Sequence, residues 1–292
     1  MCPLYQDLAT DLMVYSLVRQ VERKDAMAMA KLGCMYGRGD RVSRNLEQAF
    51  YWSMMAAKRG IDSAQYIVGT MLYNGEGTQR DEAAAAKWYL KAARRGFIPA
   101  QGYLGAMYIF GMGVDQNYVE AVFWLTKATE KNHVQAQYLL GWCYRDGCGV
   151  RQDHAKAVHW YRRAALGGSR DAGAHLAWMY QHGLGVDRSP FLAFNWFHKA
   201  AIEGNPDAQN ILGAMYRTGK GLVYQDSNQA LEWFSKAALQ DHPLAMFNLS
   251  MLYGEDGDLK NTTLAATWLQ VAVSTLVDGD PTYVLKGQGF AQ

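Results

Sequence analysis

The sequence lacks an excess of charge of either sign. Its 292 residues include 29 lysines and arginines against 27 aspartates and glutamates, for a net charge of +2. Such a balance provides no electrostatic attraction to nucleic acid or to an anionic membrane surface, so neither is predicted as a partner. The first residues do not form a signal peptide, because Asp7 and Asp11 interrupt the apolar region that one needs. No apolar run approaches the roughly 18 residues of a membrane-spanning helix.

Cysteines are also few, and their spacing is not that of a disulfide framework. The four residues are Cys2, Cys34, Cys143 and Cys148, and none forms a CxxC pair. We therefore expect reduced thiols and a cytoplasmic chain. A periplasmic or secreted location stays open, because a chain from which an export signal had been removed would look the same.

Tryptophan, in contrast, is abundant and periodic. Seven of the nine tryptophans recur at intervals of 35 to 37 residues: Trp52, Trp88, Trp124, Trp160, Trp196, Trp233 and Trp268. A single globular core does not impose such a spacing, whereas seven copies of one supersecondary unit do. The sequence therefore predicts an array of seven repeats of about 36 residues.

The residues around each tryptophan predict a helix, which we call helix B. An N-cap residue precedes the tryptophan by seven positions in every copy: Asn45, Asp81, Asn117, Asp153, Ser189, Asp226 and Asn261. Gln48, Glu120 and Gln229 would complete capping boxes. Alanines on the same helical face flank each tryptophan, which is therefore interpreted as core. In five copies, helix B is followed by a residue that readily adopts the left-handed backbone conformation of a helix C-terminal cap: Gly60, Gly96, Asn132, Gly168 and Gly204.

A second helix, helix A, precedes helix B in each copy. Its pattern is Ala-x-x-x-Leu-Gly-x-x-Tyr, as in Ala100, Leu104, Gly105 and Tyr108. The alanine, leucine and tyrosine form the predicted core stripe, and the glycine is expected to allow close helix packing. Paired glycines follow helix A in five copies: Gly75/Gly77, Gly111/Gly113, Gly147/Gly149, Gly183/Gly185 and Gly219/Gly221. Because they recur once per repeat, they indicate a turn rather than a phosphate-binding loop.

The combined pattern resembles the Sel1-like repeat, a relative of the tetratricopeptide repeat. Its two halves are A-x-x-x-L-G-x-x-Y-x-x-G-x-G-V and A-x-x-W-x-x-x-A-A-x-x-G. The resemblance implies an all-α fold, a right-handed α-solenoid of seven helix–turn–helix repeats. We expect an N-terminal capping helix in residues 1–25 and the repeats in residues 26–273. Residues 274–292 are expected to form a C-terminal extension, for which partial disorder stays open.

In a solenoid of this kind, helix A lines the concave side and helix B the convex side. The helix A positions opposite the core stripe vary between copies, and aromatic residues concentrate there in copies two to five. Aromatic residues dominate binding hot spots. The predicted partner-binding groove consists of Tyr66, Tyr103, Tyr138, Trp142, Arg145, His175, Trp178 and His182. For Trp142 and Trp178, packing between repeats is the alternative interpretation.

The resemblance implies a non-enzymatic adaptor that binds a protein or peptide, of a type found in bacterial secretion, envelope, host-interaction or toxin-immunity systems. No nucleophile–base pair is evident, and His175 and His182 lack further metal ligands, so no catalytic, metal or cofactor site is predicted. Two alternatives stay open. One is a small-ligand-binding or β-lactamase-like enzyme, since some cysteine-rich relatives are reported to bind penicillin-like compounds. The other is a structural homo-oligomer that self-associates through the solenoid ends.

Overall fold

The computed structural model describes residues 12–220, 222–255 and 257–278. These residues form fifteen helices and no strand: α1 Leu12–Glu22, α2 Ala26–Arg38, α3 Leu46–Lys58, α4 Asp62–Asn74, α5 Glu82–Arg94, α6 Ile98–Phe110, α7 Tyr118–Thr129, α8 Val134–Asp146, α9 His154–Leu166, α10 Arg170–His182, α11 Pro190–Ile202, α12 Pro206–Thr218, α13 Ser227–Ala238, α14 Pro243–Gly254 and α15 Thr262–Asp278. From α2 onward, helices A and B alternate, so α2–α3 is the first repeat and α14–α15 the seventh. The predicted all-α repeat fold is confirmed. The predictions for Cys2, Gly221, residues 1–11 and residues 279–292 lie outside the described residues.

The helices fall into two compact units, Met1–Arg151 and Gln152–Gln292. Within the first, each helix from α1 to α8 packs against the next one along the chain. Within the second, α9 to α15 do the same. Helix α1 lies in the segment predicted as the N-terminal cap, and it buries Val14, Leu17 and Val18. None of the helices in the described part of the chain is both long and apolar enough to cross a membrane.

The predicted helix ends are confirmed, but the capping boxes are wrong. The Asn117 side chain accepts hydrogen bonds from the Val119 and Glu120 amides, both at 3.1 Å. In a capping box, the backbone amide of Asn117 would donate to the Glu120 side chain. It donates instead to the Tyr108 carbonyl of helix A, at 2.9 Å. The same bond to a helix A carbonyl forms at the other two expected boxes, from Asn45 and Asp226. The five predicted helix B ends have φ between 61° and 93°.

Three of the seven tryptophans are buried in the core, as interpreted from the sequence, whereas the other four are only partly buried. Trp52, Trp124 and Trp233 are 7–9% exposed, and the other four of the series are half-buried. The residue that follows the tryptophan is at most 1% exposed in repeats one to six: Ser53, Tyr89, Leu125, Tyr161, Phe197 and Phe234. In repeats one, two, three and six this residue packs directly on the helix A glycine. The deepest part of the repeat is therefore this contact.

A buried glutamine, which is not part of the predicted core stripe, links successive repeats. It follows the first alanine of the helix A pattern in four copies: Gln65, Gln101, Gln137 and Gln209. In three of them the side-chain nitrogen donates, at 3.0–3.2 Å, to a carbonyl near the end of the preceding helix B: Ala57, Ala93 and Ala201. The last four carbonyl groups of a helix have no hydrogen-bond donor within the helix. In these three copies the glutamine supplies part of that bonding and ties helix A to the repeat before it.

The paired glycines form the predicted turns between helix A and helix B. Gly111 and Gly113 have φ of 67° and 65°, a region that strains residues with a side chain. A Cβ on Gly113 would also overlap the backbone of Glu82, at the start of helix B in the previous repeat. The second glycine is thus required by both the turn and the close approach of two repeats.

Replacement of Gly213 by alanine is expected to destabilise the chain, although alanine favours a helix by about 1 kcal/mol over glycine. The added Cβ would lie 2.5 Å from the ring of Phe234, which is fully buried. We expect the free energy of unfolding in urea, followed by circular dichroism, to fall by about 1–3 kcal/mol. Gly173→Ala is the matched control, because the nearest heavy atom to its Cβ lies at 3.5 Å. Equal stability of the two variants would contradict the account of helix packing.

The stability of the chain should decrease on acidification through His133. Its Nδ1 accepts a hydrogen bond from the Ala136 amide at 3.1 Å, which caps α8 and requires a neutral ring. Burial lowers the pKa of His133. The unfolded chain therefore binds this proton more tightly, so the contribution of His133 is complete above about pH 6.5 and is lost as the pH falls below it.

The measurement is the urea midpoint at about pH 7 and about pH 5 for the wild type and for His133→Asn, which keeps a capping acceptor but does not titrate. The wild type should lose more stability than the variant over this interval. The other titrating groups are common to both chains and cancel in the comparison. Parallel losses in the two chains would show that the His133 cap is not pH-sensitive.

Candidate functional site

Two of the predicted groove residues belong to a cluster of four aromatic rings in the first unit. The Tyr66 ring of α4 lies 5.7 Å from that of Tyr103 in α6 and 5.3 Å from that of Phe97, which precedes α6. Tyr89 of α5 stacks on Tyr103, with ring centroids 5.6 Å apart and ring planes at 17°. We call Tyr66, Tyr89, Phe97 and Tyr103 the tyrosine cluster. It joins repeats two and three.

The tyrosine cluster extends from the core to the surface. Tyr89 is fully buried, Tyr66 and Phe97 are half-buried, and Tyr103 is 45% exposed. The Tyr89 hydroxyl donates to Oγ1 of Thr70 at 3.0 Å, so its polar end is satisfied inside the protein. Because the inner ring is fixed between two helices and the outer ring stacks on it, Tyr103 is held in a defined orientation at the surface.

The tyrosine cluster is uncharged at neutral pH. Burial raises the pKa of Tyr66, and the neighbouring Tyr103 raises it further. Burial likewise raises the pKa of Tyr89. Neutral tyrosines offer apolar ring faces together with hydroxyls that donate and accept hydrogen bonds. The cluster is therefore suited to a largely apolar segment with some hydrogen-bonding groups.

The exposed surface of α6 continues beyond the tyrosine cluster. Phe110 is 62% exposed and lies seven residues after Tyr103 on the same side of the helix, with Ala106 between them. At 1.5 Å per residue, the two aromatic residues are about 10 Å apart along the helix axis. We call Tyr103, Ala106 and Phe110 the α6 face. Phe110 is a functional candidate that the predicted groove omits.

The three predicted residues on α8 are all partly buried. The ring of Trp142 is half-buried and lies 6.2 Å from that of Tyr118, at the start of the preceding helix B. Arg145 has 13% of its side chain exposed and donates two hydrogen bonds to Asp146, at 2.7 and 2.8 Å. Tyr138 is half-buried. The contact of Trp142 favours the packing alternative for this residue, and a binding role for all three stays a prediction.

In the second unit, α10 carries the other three predicted residues. The half-buried His175 ring lies 5.2 Å from that of Tyr161 in α9. Trp178 and His182 are one turn apart, with ring centroids at 4.5 Å. Nδ1 of His182 donates to the Trp178 carbonyl at 2.9 Å, so this nitrogen carries the proton. His182 is exposed and Trp178 is half-buried, and together they form a second, smaller aromatic surface.

Four aromatic residues that contact the predicted groove residues are absent from the prediction: Tyr89, Phe97, Tyr118 and Tyr161. A signal existed for Tyr89 and Tyr161, because the position after the helix B tryptophan carries Tyr, Leu or Phe in copies two to six. Phe97 and Tyr118 stand at helix ends, where no periodic pattern marks them.

Cys143 and Cys148 are free thiols with little nucleophilic character. Burial raises the pKa of Cys143 to about 12 and also raises that of Cys148. A thiol with a raised pKa holds little of the reactive thiolate at neutral pH. Across residues 12–220, 222–255 and 257–278, no three His, Cys, Asp or Glu side chains are grouped as metal ligands would be.

Solved structures share this architecture over most of the chain. A Sel1 repeat protein from Oxalobacter formigenes is 34% identical, with a TM-score of 0.76, over 84% of this chain and 96% of its own. A protective antigen of uropathogenic Escherichia coli that displays an SLR fold is 32% identical, with a TM-score of 0.76, over 91% of this chain. This chain spans 57% of the length of that antigen.

Solved structures with lower identity and lower TM-scores give no further information on function. An immunity protein from Pseudomonas aeruginosa is 19% identical over 74% of this chain and 81% of its own, with a TM-score of 0.48, and a likeness at that level carries no functional argument. No curated protein matched the sequence.

The family model of the Sel1 repeat matches seven consecutive segments of the chain. They are residues 26–61, 62–97, 98–133, 134–169, 171–205, 206–242 and 243–274. Each segment corresponds to one helix A–helix B pair, from α2–α3 to α14–α15. The period of the tryptophans, the helix pairs and the family model therefore agree, and the chain belongs to the Sel1 repeat family.

Proposed function

We propose that this chain is a non-enzymatic scaffold that binds a protein or peptide partner through the exposed faces of its A helices. Sel1 repeats mediate protein interactions. The observation that carries the proposal is the tyrosine cluster, in which a buried ring, Tyr89, supports an exposed ring, Tyr103. No feature of the described residues favours the enzyme alternative over this one.

The α6 face has the properties of a binding hot spot. Tyrosine supplies a large contact area with only two side-chain torsions, and a ring that is already stacked loses little further freedom on binding. Tyr103 is stacked in this way, while Ala106 and Phe110 extend the apolar surface beside it. We propose the α6 face as the primary contact of the partner.

The geometry of the α6 face indicates the type of segment that fits it. Two aromatic anchors about 10 Å apart match apolar residues at positions i and i+7 of a helix. Because the tyrosine cluster is uncharged, the affinity should depend weakly on salt. The other predicted residues are proposed as additional contacts: Tyr138, Trp142, Arg145, His175, Trp178 and His182.

The test uses two double variants in the same repeat, with closely matched exposure. Tyr103→Ala/Phe110→Ala removes side chains that are 45% and 62% exposed on helix A. Val119→Ala/Phe123→Ala removes side chains that are 67% and 50% exposed on helix B. In affinity capture from the source cell with mass spectrometry, a partner of the wild type should bind the first variant at least about tenfold more weakly and the second normally.

Circular dichroism and urea unfolding must show that each variant is folded, because Tyr103 also packs on Tyr89. Ala106→Arg provides an independent check, since it leaves both aromatic rings in place and puts a charged side chain between them. It should also abolish the interaction. A partner retained by Tyr103→Ala/Phe110→Ala and by Ala106→Arg would exclude the α6 face as its site.

A further inference from the structure

The end of α8 brings two cysteines together. Gly147 ends the helix with a φ of 74°, and its amide donates to the Cys143 carbonyl. The Cys148 amide donates to the same carbonyl at 3.0 Å. A hydrogen bond between residues five apart at a helix end is that of a Schellman motif, in which the side chains of the two bonded residues are frequently in contact. In α8 both of these side chains are thiols.

The same hydrogen bond forms in four other repeats, where the two residues are of other types. The pairs are Met35/Asp40, Met71/Glu76, Met107/Met112 and Met179/Leu184. The second position of the turn therefore accepts charged and apolar residues alike, and the geometry of the turn does not require a cysteine. Among these five repeats, repeat four alone carries a thiol at both ends of the bond.

The hydrogen bond also limits the separation of the two cysteines. With the Cys148 nitrogen 3.0 Å from the Cys143 oxygen, standard bond lengths place the two Cα atoms less than about 7 Å apart. Disulfides join residues whose Cα atoms are about 4.4–6.8 Å apart. Burial raises the pKa of Cys143, and the neighbouring Cys148 raises it further, so the two thiols are close enough to interact electrostatically. The backbone is therefore positioned for a bond between the two sulfur atoms.

We propose that Cys143 and Cys148 form a disulfide, with a small-molecule disulfide such as oxidised glutathione as the oxidant. Cys148 reacts first, because it is half-buried whereas Cys143 is fully buried. The Cys148 thiolate attacks glutathione disulfide, which forms a mixed disulfide and releases one glutathione thiolate. The Cys143 thiolate then attacks the Cys148 sulfur and releases the second glutathione. The two cysteines lose two protons and two electrons, which convert one glutathione disulfide to two glutathione thiols.

Burial also determines how quickly this disulfide forms and breaks. It raises the pKa of both thiols, so little thiolate is present at neutral pH and the attack is slow. A thiol of high pKa is also a poor leaving group, which slows the attack of an external reductant on the finished disulfide. We therefore expect a lasting cross-link rather than a rapidly reversible switch.

The cross-link would fix the end of α8, which carries two of the predicted groove residues. Trp142 directly precedes Cys143, and Arg145 lies between the two cysteines. A disulfide across Gly147 would restrict the last turn of the helix and thereby hold both side chains in place. This consequence rests on the proposed function. The disulfide itself does not, and it is tested without a partner.

The test equilibrates the folded chain in a buffer of reduced and oxidised glutathione, alkylates the remaining thiols and digests the product with trypsin. Trypsin cleaves after Arg145, so the two cysteines fall on separate peptides, residues 132–145 and 146–151. Mass spectrometry then measures the linked pair of peptides against the separate, alkylated ones. The same equilibration in urea gives this ratio for the unfolded chain.

We expect the ratio of linked to separate peptides to be at least about tenfold higher in the folded chain than in urea, because the end of α8 holds the thiols together. Two variants test the order of the steps. Cys143→Ala should leave glutathione attached to Cys148, and Cys148→Ala should leave the buried Cys143 unmodified. Cys34 of α2, which is also half-buried, is the internal control and should link to neither peptide.

Equal ratios in the folded chain and in urea would overturn the proposal, because the spacing in the sequence alone would then explain the link. A wild-type chain that keeps glutathione on Cys148 and forms no linked pair would overturn it as well. A disulfide between Cys34 and either of the two cysteines would have the same meaning.

Discussion

The repeats of this chain depend on the close approach of helix A to helix B. In repeat two, the Tyr89 ring lies 2.9 Å from the place that a Cβ on Gly69 would occupy. The corresponding contacts join Gly105 with Leu125 and Gly213 with Phe234. Glycine costs helix propensity at these positions, so the close contact must stabilise more than the glycine costs. In repeats one, two, three and six it also fixes a side chain that is at most 1% exposed.

The candidate site is built on the same contact. Tyr89 is fixed by α4 on one side and stacks on Tyr103 of the next repeat on the other. The exposed Tyr103 ring, which would contact a partner, is therefore positioned by Tyr89, and Tyr89 in turn is positioned by its contact with Gly69 in the core. Leu125 and Phe234 fill the position of Tyr89 in other repeats and are equally buried. The core contact can thus stay constant while the residues stacked on it differ, as a scaffold with a specific surface requires.

Features with a local cause could be predicted from the sequence, and features decided by a neighbouring repeat could not. The helix caps and turns were predictable because N-cap residues and glycines act within a few residues of themselves. The capping box at Asn117 was wrong because the Tyr108 carbonyl of another helix takes the amide. Trp88 and Tyr89 are adjacent on one helix, and only the helices packed around them decide that Tyr89 is the deeper. The burial of Arg145 likewise depends on its tertiary surroundings.

The most direct test of this account is a double-mutant cycle between Gly69 and Tyr89. Gly69→Ala, Tyr89→Ala and the combined variant are compared with the wild type by urea unfolding. If the ring fills the space of the missing Cβ, Gly69→Ala should cost less in the Tyr89→Ala background, with a coupling energy of about 1–3 kcal/mol. Costs that add to within about 0.5 kcal/mol would contradict the claim that this contact sets the packing of the repeat.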